Sequence, residues 1–165
     1  MNKKNIANIV TFLNLIFGLI SIFSSLKNHF IWAGAALIIA VIFDCLDGTI
    51  ARKLKVESDF GAELDSLSDL VSFGVAPAVL LFIFYDVWWF AFLFLIFILS
   101  GAFRLARFNI LKSKFKDFLG MPITVNGVVF PLIIFFNLKP IIGLILVLIS
   151  TILMISKVKF KKVRL

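Results

Sequence analysis

Residues 44–69 read DCLDGTIARKLKVESDFGAELDSLSD, in a chain of 165 residues that is otherwise mostly apolar. Four of its five aspartates fall at helical spacing, Asp44, Asp47, Asp65 and Asp69. A carboxylate near hydrocarbon costs roughly 2.5 to 3.5 kcal/mol on insertion scales, so four of them need a compensating ligand. The stretch therefore predicts a cation-binding site, with the aspartates as its ligands.

The composition around this stretch is that of an integral membrane protein. Hydrophobic residues make up 62% of the chain, 21 of them are Phe, and the mean hydropathy is +1.12. Such a chain has too few polar residues to cover a soluble globule. We predict an all-α membrane protein folded as a single domain, residues 1–165. Six transmembrane helices of about 20 residues are expected at 6–26, 31–51, 66–85, 87–108, 119–137 and 140–156.

The basic residues predict the orientation of these helices. If the N-terminus is cytoplasmic, only Lys27 and Lys139 of the 17 basic residues fall on the other side, which leaves 15 on the cytoplasmic side. Basic residues gather on that side of membrane proteins. We expect both termini and the aspartate stretch to face the cytoplasm from the cell membrane. The net charge of +8 lies beside the spans, which favours contact with anionic lipid headgroups over nucleic acid. The tail from Lys157 to Arg164 is expected to do only this.

Three simpler features of the sequence carry less information about function. Lys3 and Lys4 before an apolar run imitate a signal peptide, but cleavage would upset the even number of spans, so we expect none. Cys45 is the single cysteine and cannot form an intramolecular disulfide or a metal–thiolate cluster alone. The lone His29 is expected to be a bystander in an outer loop.

Helical geometry places the aspartates on two stripes. Asp44, Asp47, Gly48 and Ala51 are spaced i, i+3, i+4 and i+7, so they share one face of the second span. On the third span Gly61, Asp65 and Asp69 repeat every four residues and share another. Two such stripes facing each other form a cage of oxygen atoms with small residues that leave room for a ligand.

Oxygen ligands of this kind suit hard cations such as Mg²⁺, Mn²⁺ or Ca²⁺. Four carboxylates are more than one Mg²⁺ normally takes from protein, so two metal ions that jointly hold a phosphate are plausible. Arg52 and Lys53 lie next to the stripe and suit a pyrophosphate. The alternative is that the aspartates cap helices or pair with Arg52 and Lys53 at the membrane surface.

The spacing matches D-x2-D-G-x2-A-R-x8-G-x3-D-x3-D at every fixed position, from Asp44 to Asp69. In this the chain resembles the CDP-alcohol phosphatidyltransferases. Three further segments are similar to those of the membrane-embedded phosphatidylserine synthases within that family, and we expect them to set the choice of acceptor. They are residues 72–78 (SFGVAPA), 104–109 (RLARFN) and 118–124 (FLGMPIT).

The resemblance implies a fold, a reaction and residue roles. The fold is a six-helix membrane bundle that forms a homodimer. The reaction moves a phosphatidyl or archaetidyl group from a CDP-linked lipid to the hydroxyl of L-serine and releases CMP, with two divalent cations, Mg²⁺ or Mn²⁺, as cofactors. The implied metal ligands are Asp44, Asp47, Asp65 and Asp69. Asp69 would also be the general base, and the implied CDP-binding residues are Gly48, Arg52 and Gly61.

Two alternatives are open for how Asp69 would act as the general base. An aspartate of ordinary basicity is weak toward an alcohol, so either its basicity is increased in the site or the proton leaves late in the transition state.

Other residues are candidates for substrate binding. Arg104 and Arg107 share a face near Asn109, and a planar guanidinium suits the serine carboxylate or the lipid phosphate. Alternatively both arginines anchor their helix at the interface by snorkelling. Two further sets have open alternatives. Asn8, Thr11 and Asn14 form a polar stripe for the nucleotide or for helix–helix hydrogen bonds. Gly120 and Pro122, after the basic loop Lys112–Lys116, open the fifth span as part of a lid or as a simple turn.

Two other functions compete with serine transfer. A sister enzyme would use glycerol 3-phosphate or inositol phosphate as the acceptor, with Arg104 and Arg107 in a larger basic pocket. A cation transporter would also have carboxylates within the membrane, but it favours charges at the midplane and paired broken helices. Neither the ester nor the ether character of the lipid tails is encoded in the sequence.

Overall fold

A computed structural model describes residues 3–54, 56, 58–111 and 118–160 of the chain. Predictions for Lys55, for the basic loop Lys112–Lys116 and for the end of the tail at 161–165 lie outside the described residues. The helices are α1 (Lys3–Leu26), α2 (Phe30–Leu54), α3 (Asp59–Asp69), α4 (Ala76–Tyr85), α5 (Ala91–Leu111), α6 (Asn126–Phe135) and α7 (Pro140–Ile155). Short 3₁₀ turns at Trp88–Phe90 and Ile123–Val125 precede α5 and α6.

The helices α3 and α4 form one continuous span, so the described chain contains six helical segments. Four of these are long and apolar enough to cross a bilayer, namely Ala7–Leu26, Phe30–Leu54, Asp59–Tyr85 and Ala91–Ile110. The remaining two, Ile123–Phe135 and Pro140–Ile155, are apolar but shorter. The class of protein predicted from composition, a helical multi-pass membrane protein, is confirmed.

Three predicted span starts are wrong. The third span begins at Asp59 rather than at residue 66, because the helix extends two turns beyond its apolar part toward the N-terminus. Its N-cap is Ser58, whose Oγ accepts a hydrogen bond from Gly61 N at 3.1 Å. The fourth span is predicted from residue 87, but its α-helix begins at Ala91, after the 3₁₀ turn Trp88–Phe90.

The fifth span was expected from residue 119, but its helix starts only at Ile123. Gly120 has a φ of +82° and Pro122 precedes the 3₁₀ turn, so both lie in a turn before the helix.

One end of the bundle is closed by three tight connections. Asn28 follows α1, Asp86 follows α4 and Asn137 follows α6, and all three adopt positive φ values between 47° and 59°. Asn and Asp tolerate this left-handed conformation better than other side chains and end helices without a glycine. The opposite end, where α2 runs into α3 and α5 leads to α6, carries Asp44, Asp47, Asp65 and Asp69.

The helices pack through small residues and present large apolar side chains outward. The core includes Ala33, Leu37, Phe73 and Phe130, each with no exposed surface. Trp32 and Phe92 are more than 70% exposed, which suits contact with lipid tails. An apolar bundle that is apolar outside as well as inside is the expected result of folding in a bilayer, where small residues let helix backbones approach closely.

A π-helical turn at Leu70–Val75 joins α3 to α4 directly after Asp69. Within it the Ser72 hydroxyl donates to the backbone carbonyl of Asn14 in α1 at 3.1 Å. Gly18, one turn further along α1, lies so close to Ser72 that an added Cβ would collide with its hydroxyl and come within 2.8 Å of its Cα. The π turn and the missing side chain together bring α1 against the end of α3. Turns of this kind are frequent at functional sites.

A short β ladder accompanies the helices and leaves the all-α class unchanged. Two-residue strands β1 (Phe118–Leu119) and β2 (Lys159–Phe160) form an antiparallel ladder, with Phe118 opposite Phe160 and Leu119 opposite Lys159. Part of the basic tail is therefore paired with the chain that leads into α6, beyond the headgroup contact expected of it.

We expect Gly18→Ala to lower the melting temperature in detergent by several degrees. The added Cβ overpacks the contact with Ser72, which costs about 1–3 kcal/mol and outweighs the roughly 0.5–1 kcal/mol that Ala gains over Gly in a helix. Gly48→Ala is the matched control, because its Cβ would meet only Arg52 Nη1, at 3.7 Å. An unchanged melting temperature for Gly18→Ala would contradict the close packing of α1 on the π turn.

Candidate active site

A cavity of about 390 Å³ opens at the aspartate end of the bundle, between α1, α2, α3, α5 and the segment before α6. It holds most of the residues predicted to form the site. The predicted residues that line it are Asn8, Thr11, Asp44, Asp47, Gly48, Arg52, Gly61, Asp65, Asp69 and Arg104. The two aspartate stripes inferred from helical spacing therefore do face one cavity.

Three of the four carboxylates converge. One oxygen from each of Asp44, Asp47 and Asp65 lies within 4.8 Å of the others. Asp47 is only 5% exposed, and its Oδ2 is buried without a hydrogen-bond partner among the described residues. A buried oxygen of this kind is costly unless it has a ligand. The oxygen donor set and the unpartnered Oδ2 fit a hard divalent cation.

The fourth carboxylate, Asp69, lies beside this cluster. It is 7% exposed and accepts a hydrogen bond of 3.4 Å from Asn14 Nδ2. Its side chain also faces Asp44. Asn14 is fully buried, and its backbone carbonyl is held by Ser72. Asn14 thus contacts the site through Asp69, whereas Asn8 and Thr11 line the cavity directly.

The two predicted glycines, Gly48 and Gly61, both line the cavity, but a side chain would meet different surroundings at each. A Cβ on Gly61 would meet Ser58 Oγ at 3.2 Å and Asn8 Oδ1 at 3.4 Å, so this position is tightly packed. Gly48 has open space before it, and a side chain there would occupy the cavity. Arg52 is exposed at the rim and donates to Thr49 Oγ1 at 3.3 Å.

The arginines have different environments. Arg104 is 5% exposed, lines the cavity, and interacts electrostatically with Asp69, Asp44 and Asp65. Its guanidinium carbon lies 5.4 Å from the centre of the Phe108 ring, within range of a cation–π contact. Arg107 instead points to the end of α7, where it donates to backbone carbonyls.

Asn109 does not line the cavity described here. Its amide donates to Ser66 Oγ at 3.0 Å and to Glu63 Oε1 at 3.3 Å, which ties the end of α5 to α3. Residues 72–78 also lie outside the described cavity lining, and Ser72, Phe73 and Gly74 are buried in the π turn. Of the three segments expected to set the acceptor, only 104–109 and 118–124 contribute to the cavity.

Sequence reasoning missed Thr124 as an individual site residue. It lines the cavity together with Pro122, and its side chain lies beside Asp44. The signal available was the segment 118–124 as a whole, since a lone threonine at the start of an apolar helix has no distinctive pattern. Ser58 and Phe108 also line the cavity, and no spacing pattern in the sequence identifies either of them.

The fold and the site define a class: a multi-pass helical membrane protein with a partly buried cluster of carboxylates that fits divalent cations. Residues 4–158 match the family model described as CDP-alcohol phosphatidyltransferase. The chain therefore belongs to the CDP-alcohol phosphatidyltransferase family.

Curated relatives extend this similarity. The chain is 45% identical over 159 residues to a CDP-diacylglycerol–serine O-phosphatidyltransferase of Methanocaldococcus jannaschii, covering 95% of this chain and 74% of the relative. It is 39% identical over 157 residues to the Bacillus subtilis protein of the same name, covering 92% and 86%. An archaetidylserine synthase of Methanothermobacter thermautotrophicus is 37% identical over 138 residues, covering 78% and 59%.

We expect Asp47→Asn to weaken Mn²⁺ binding by at least about tenfold, since even partners behind a metal ligand are worth 10–100-fold in affinity. Isothermal titration of the purified protein measures this. The control is Asp86→Asn, because Asp86 is exposed at the tight end of the bundle. Equal Mn²⁺ affinity in Asp47→Asn and wild type would contradict the assignment of the cluster as a metal site.

Proposed function

We propose that this protein is a serine phosphatidyltransferase, which transfers a phosphatidyl or archaetidyl group from a CDP-linked lipid to the hydroxyl of L-serine and releases CMP. The observation that carries the proposal is the convergence of Asp44, Asp47 and Asp65 within 4.8 Å, in a cavity that also holds Asp69 and Arg104. Membership of the family and the names of the similar curated proteins support the same reaction.

Asp44, Asp47 and Asp65, with Asp69 beside them, would hold two divalent cations, Mg²⁺ or Mn²⁺. When bound, such ions stabilise the negative charge that develops on the pyrophosphate as CMP leaves. We assign Gly48, Arg52 and Gly61 to the CDP pyrophosphate. Gly48 has space before it, Arg52 lies at the rim, and the polar side chains of Asn8 and Thr11 are available to the nucleotide.

Asp69 is the proposed general base. The serine hydroxyl oxygen attacks the lipid-side phosphorus, Asp69 takes the hydroxyl proton, and the bond from that phosphorus to the CMP oxygen breaks with its electron pair on CMP. Burial of Asp69 and its hydrogen bond from Asn14 fix the carboxylate, which supports a positioned base.

We assign recognition of the acceptor carboxylate or of the lipid phosphate to Arg104 rather than to Arg107 or Asn109. Arg104 lines the cavity, and a guanidinium binds a carboxylate in a bidentate manner. The polar groups of Arg107 and Asn109 contact α7 and α3 instead.

The orientation and assembly remain parts of this proposal. We infer that both termini and the cavity face the cytoplasm from the cell membrane. In this orientation 15 of the 17 basic residues fall on the cytoplasmic side, where basic residues gather in membrane proteins. We also propose that the single domain, residues 1–165, works as a homodimer, which crosslinking in membranes checks.

The experiment that tests the function is CMP release by the purified protein in detergent. CDP-diacylglycerol or CDP-archaeol is supplied with Mg²⁺ or Mn²⁺, and serine, glycerol 3-phosphate and inositol phosphate are offered separately. We expect serine-dependent release that a chelator abolishes, with the serine lipid identified by mass. Release with another acceptor would overturn serine as the substrate. No release with any acceptor in folded protein would favour the transport alternative.

We expect Asp69→Asn to reduce serine-dependent CMP release by about 10²–10⁴-fold, the usual contribution of a general base, with an unchanged melting temperature. Steady-state kinetics and thermal unfolding measure the two quantities. Asp59→Asn is the control, because Asp59 is an exposed aspartate in the first turn of the same helix. Activity equal to wild type in Asp69→Asn would exclude its role as the base.

A further inference from the structure

The cavity has two faces with different architecture. The first face is built from α1, α2 and α3 and carries Asn8, Gly48 and Gly61, the residues assigned to the CDP group. The second face is built from α5 and the segment before α6 and carries Arg104 and Thr124. Since the first face is given to the donor and Arg104 faces Asp69, the second face is where the acceptor has to bind.

The second face depends on a segment with little regular structure of its own. Residues 118–122 come before the first helical turn, and Thr124 follows within that turn. This segment is attached to the end of α7 by backbone hydrogen bonds, from Gly120 N to Val158 O at 2.9 Å and from Met121 N to Leu153 O at 3.1 Å. The β1–β2 ladder continues the attachment.

Arg107 closes this attachment from the side of α5. Its Nη1 donates to Ile155 O at 2.9 Å, and its Nη2 donates to Met154 O at 3.1 Å and to Ser156 O at 2.9 Å. These carbonyls are at the end of α7, where a helix has no internal donors left to satisfy them. One guanidinium therefore fixes the last turn of α7 to the last turns of α5.

Gly120 fits this arrangement because it has no side chain. Its φ of +82° is rarely adopted by other residues. An added Cβ would collide with Met154 O and would lie 2.7 Å from Arg107 Nη2. We call Arg107, Gly120, residues 153–156 and Val158 the C-terminal clasp.

We propose that the C-terminal clasp positions the acceptor face of the cavity, and that Thr124 is the residue through which it contacts the acceptor. This rests on the proposed serine transfer. Thr124 lies beside Asp44 and lines the cavity, and its hydroxyl both donates and accepts hydrogen bonds, which suits an amino acid with an ammonium and a hydroxyl group. The residues of the clasp act through Thr124 and are positioning residues.

Arg107 and Lys157 are both basic, and a role in attracting anionic lipid headgroups would depend on their charge alone. Arg107→Lys separates the two roles, since it keeps the charge but replaces two donor nitrogens in a planar fork by one ammonium. Lys157→Gln is the matched control, because Lys157 makes none of the clasp contacts among the described residues, which involve Arg107, Gly120, residues 153–156 and Val158. It removes a charge from an exposed residue of the same segment.

The test combines kinetics with amide hydrogen exchange on the full-length protein. In Arg107→Lys we expect the KM for serine to rise about tenfold or more, because misplacing a site wall by about 1 Å has effects of this size. The KM for the CDP-lipid should stay within about twofold. Exchange at Gly120 and Met121 should accelerate, since their amides lose the fixed carbonyls of the clasp. Lys157→Gln should change none of these quantities.

Gly120→Ala disturbs the clasp from the other strand and should give the same pattern, which keeps the test open if Arg107→Lys does not fold. Unchanged exchange in both variants would overturn the clasp. Faster exchange with an unchanged serine KM, or with an equal rise in the KM for the CDP-lipid, would overturn its role at the acceptor face. If wild-type protein releases no CMP with serine, the proposed function fails, whereas the exchange measurement still reports on the clasp.

Discussion

Mutual repulsion among the clustered carboxylates is the constraint on which the site depends. Oxygens of Asp44, Asp47 and Asp65 lie within 4.8 Å of each other. At an effective dielectric constant of about 20, each pair of unit charges at that distance repels by roughly 3 kcal/mol. Arg104 offsets part of this charge. Bound cations would relieve this repulsion, so the cluster fits the proposed cation site.

The rigidity comes from the way α1 meets α3. Asn14 donates to Asp69 and its carbonyl accepts from Ser72, so one residue of α1 holds both the carboxylate and the π turn that follows it. Gly18 allows the close approach that this requires. The tight turns at Asn28, Asp86 and Asn137 leave little freedom at the other end.

The sequence predicts most of the first face and little of the second. Spacings of three and four residues determine which side chains share a helix face, so the convergence of Asp44, Asp47 and Asp65 could be derived before the structure. The start of the third span could not be derived from hydropathy, because Asp59, Glu63 and Asp65 interrupt the apolar run while the helix continues. The C-terminal clasp could not be predicted from the sequence for another reason. Arg107 binds backbone carbonyls 47 to 49 residues away, and carbonyls carry no residue signature.

The position of the cavity fits the proposed substrate, a CDP-linked lipid. The cavity lies at the helix ends, where the polar headgroup of a bilayer begins, while Phe60 and Leu67 on the outer side of α3 are 66% and 63% exposed and suit lipid tails. A CDP-lipid can thus place its pyrophosphate at the carboxylates and leave its tails in the membrane. Selection then acts on the headgroup and the acceptor. Relatives named for diacylglycerol and for archaetidyl lipids are both similar to this chain, as expected if the proposed site binds the pyrophosphate and not the tail.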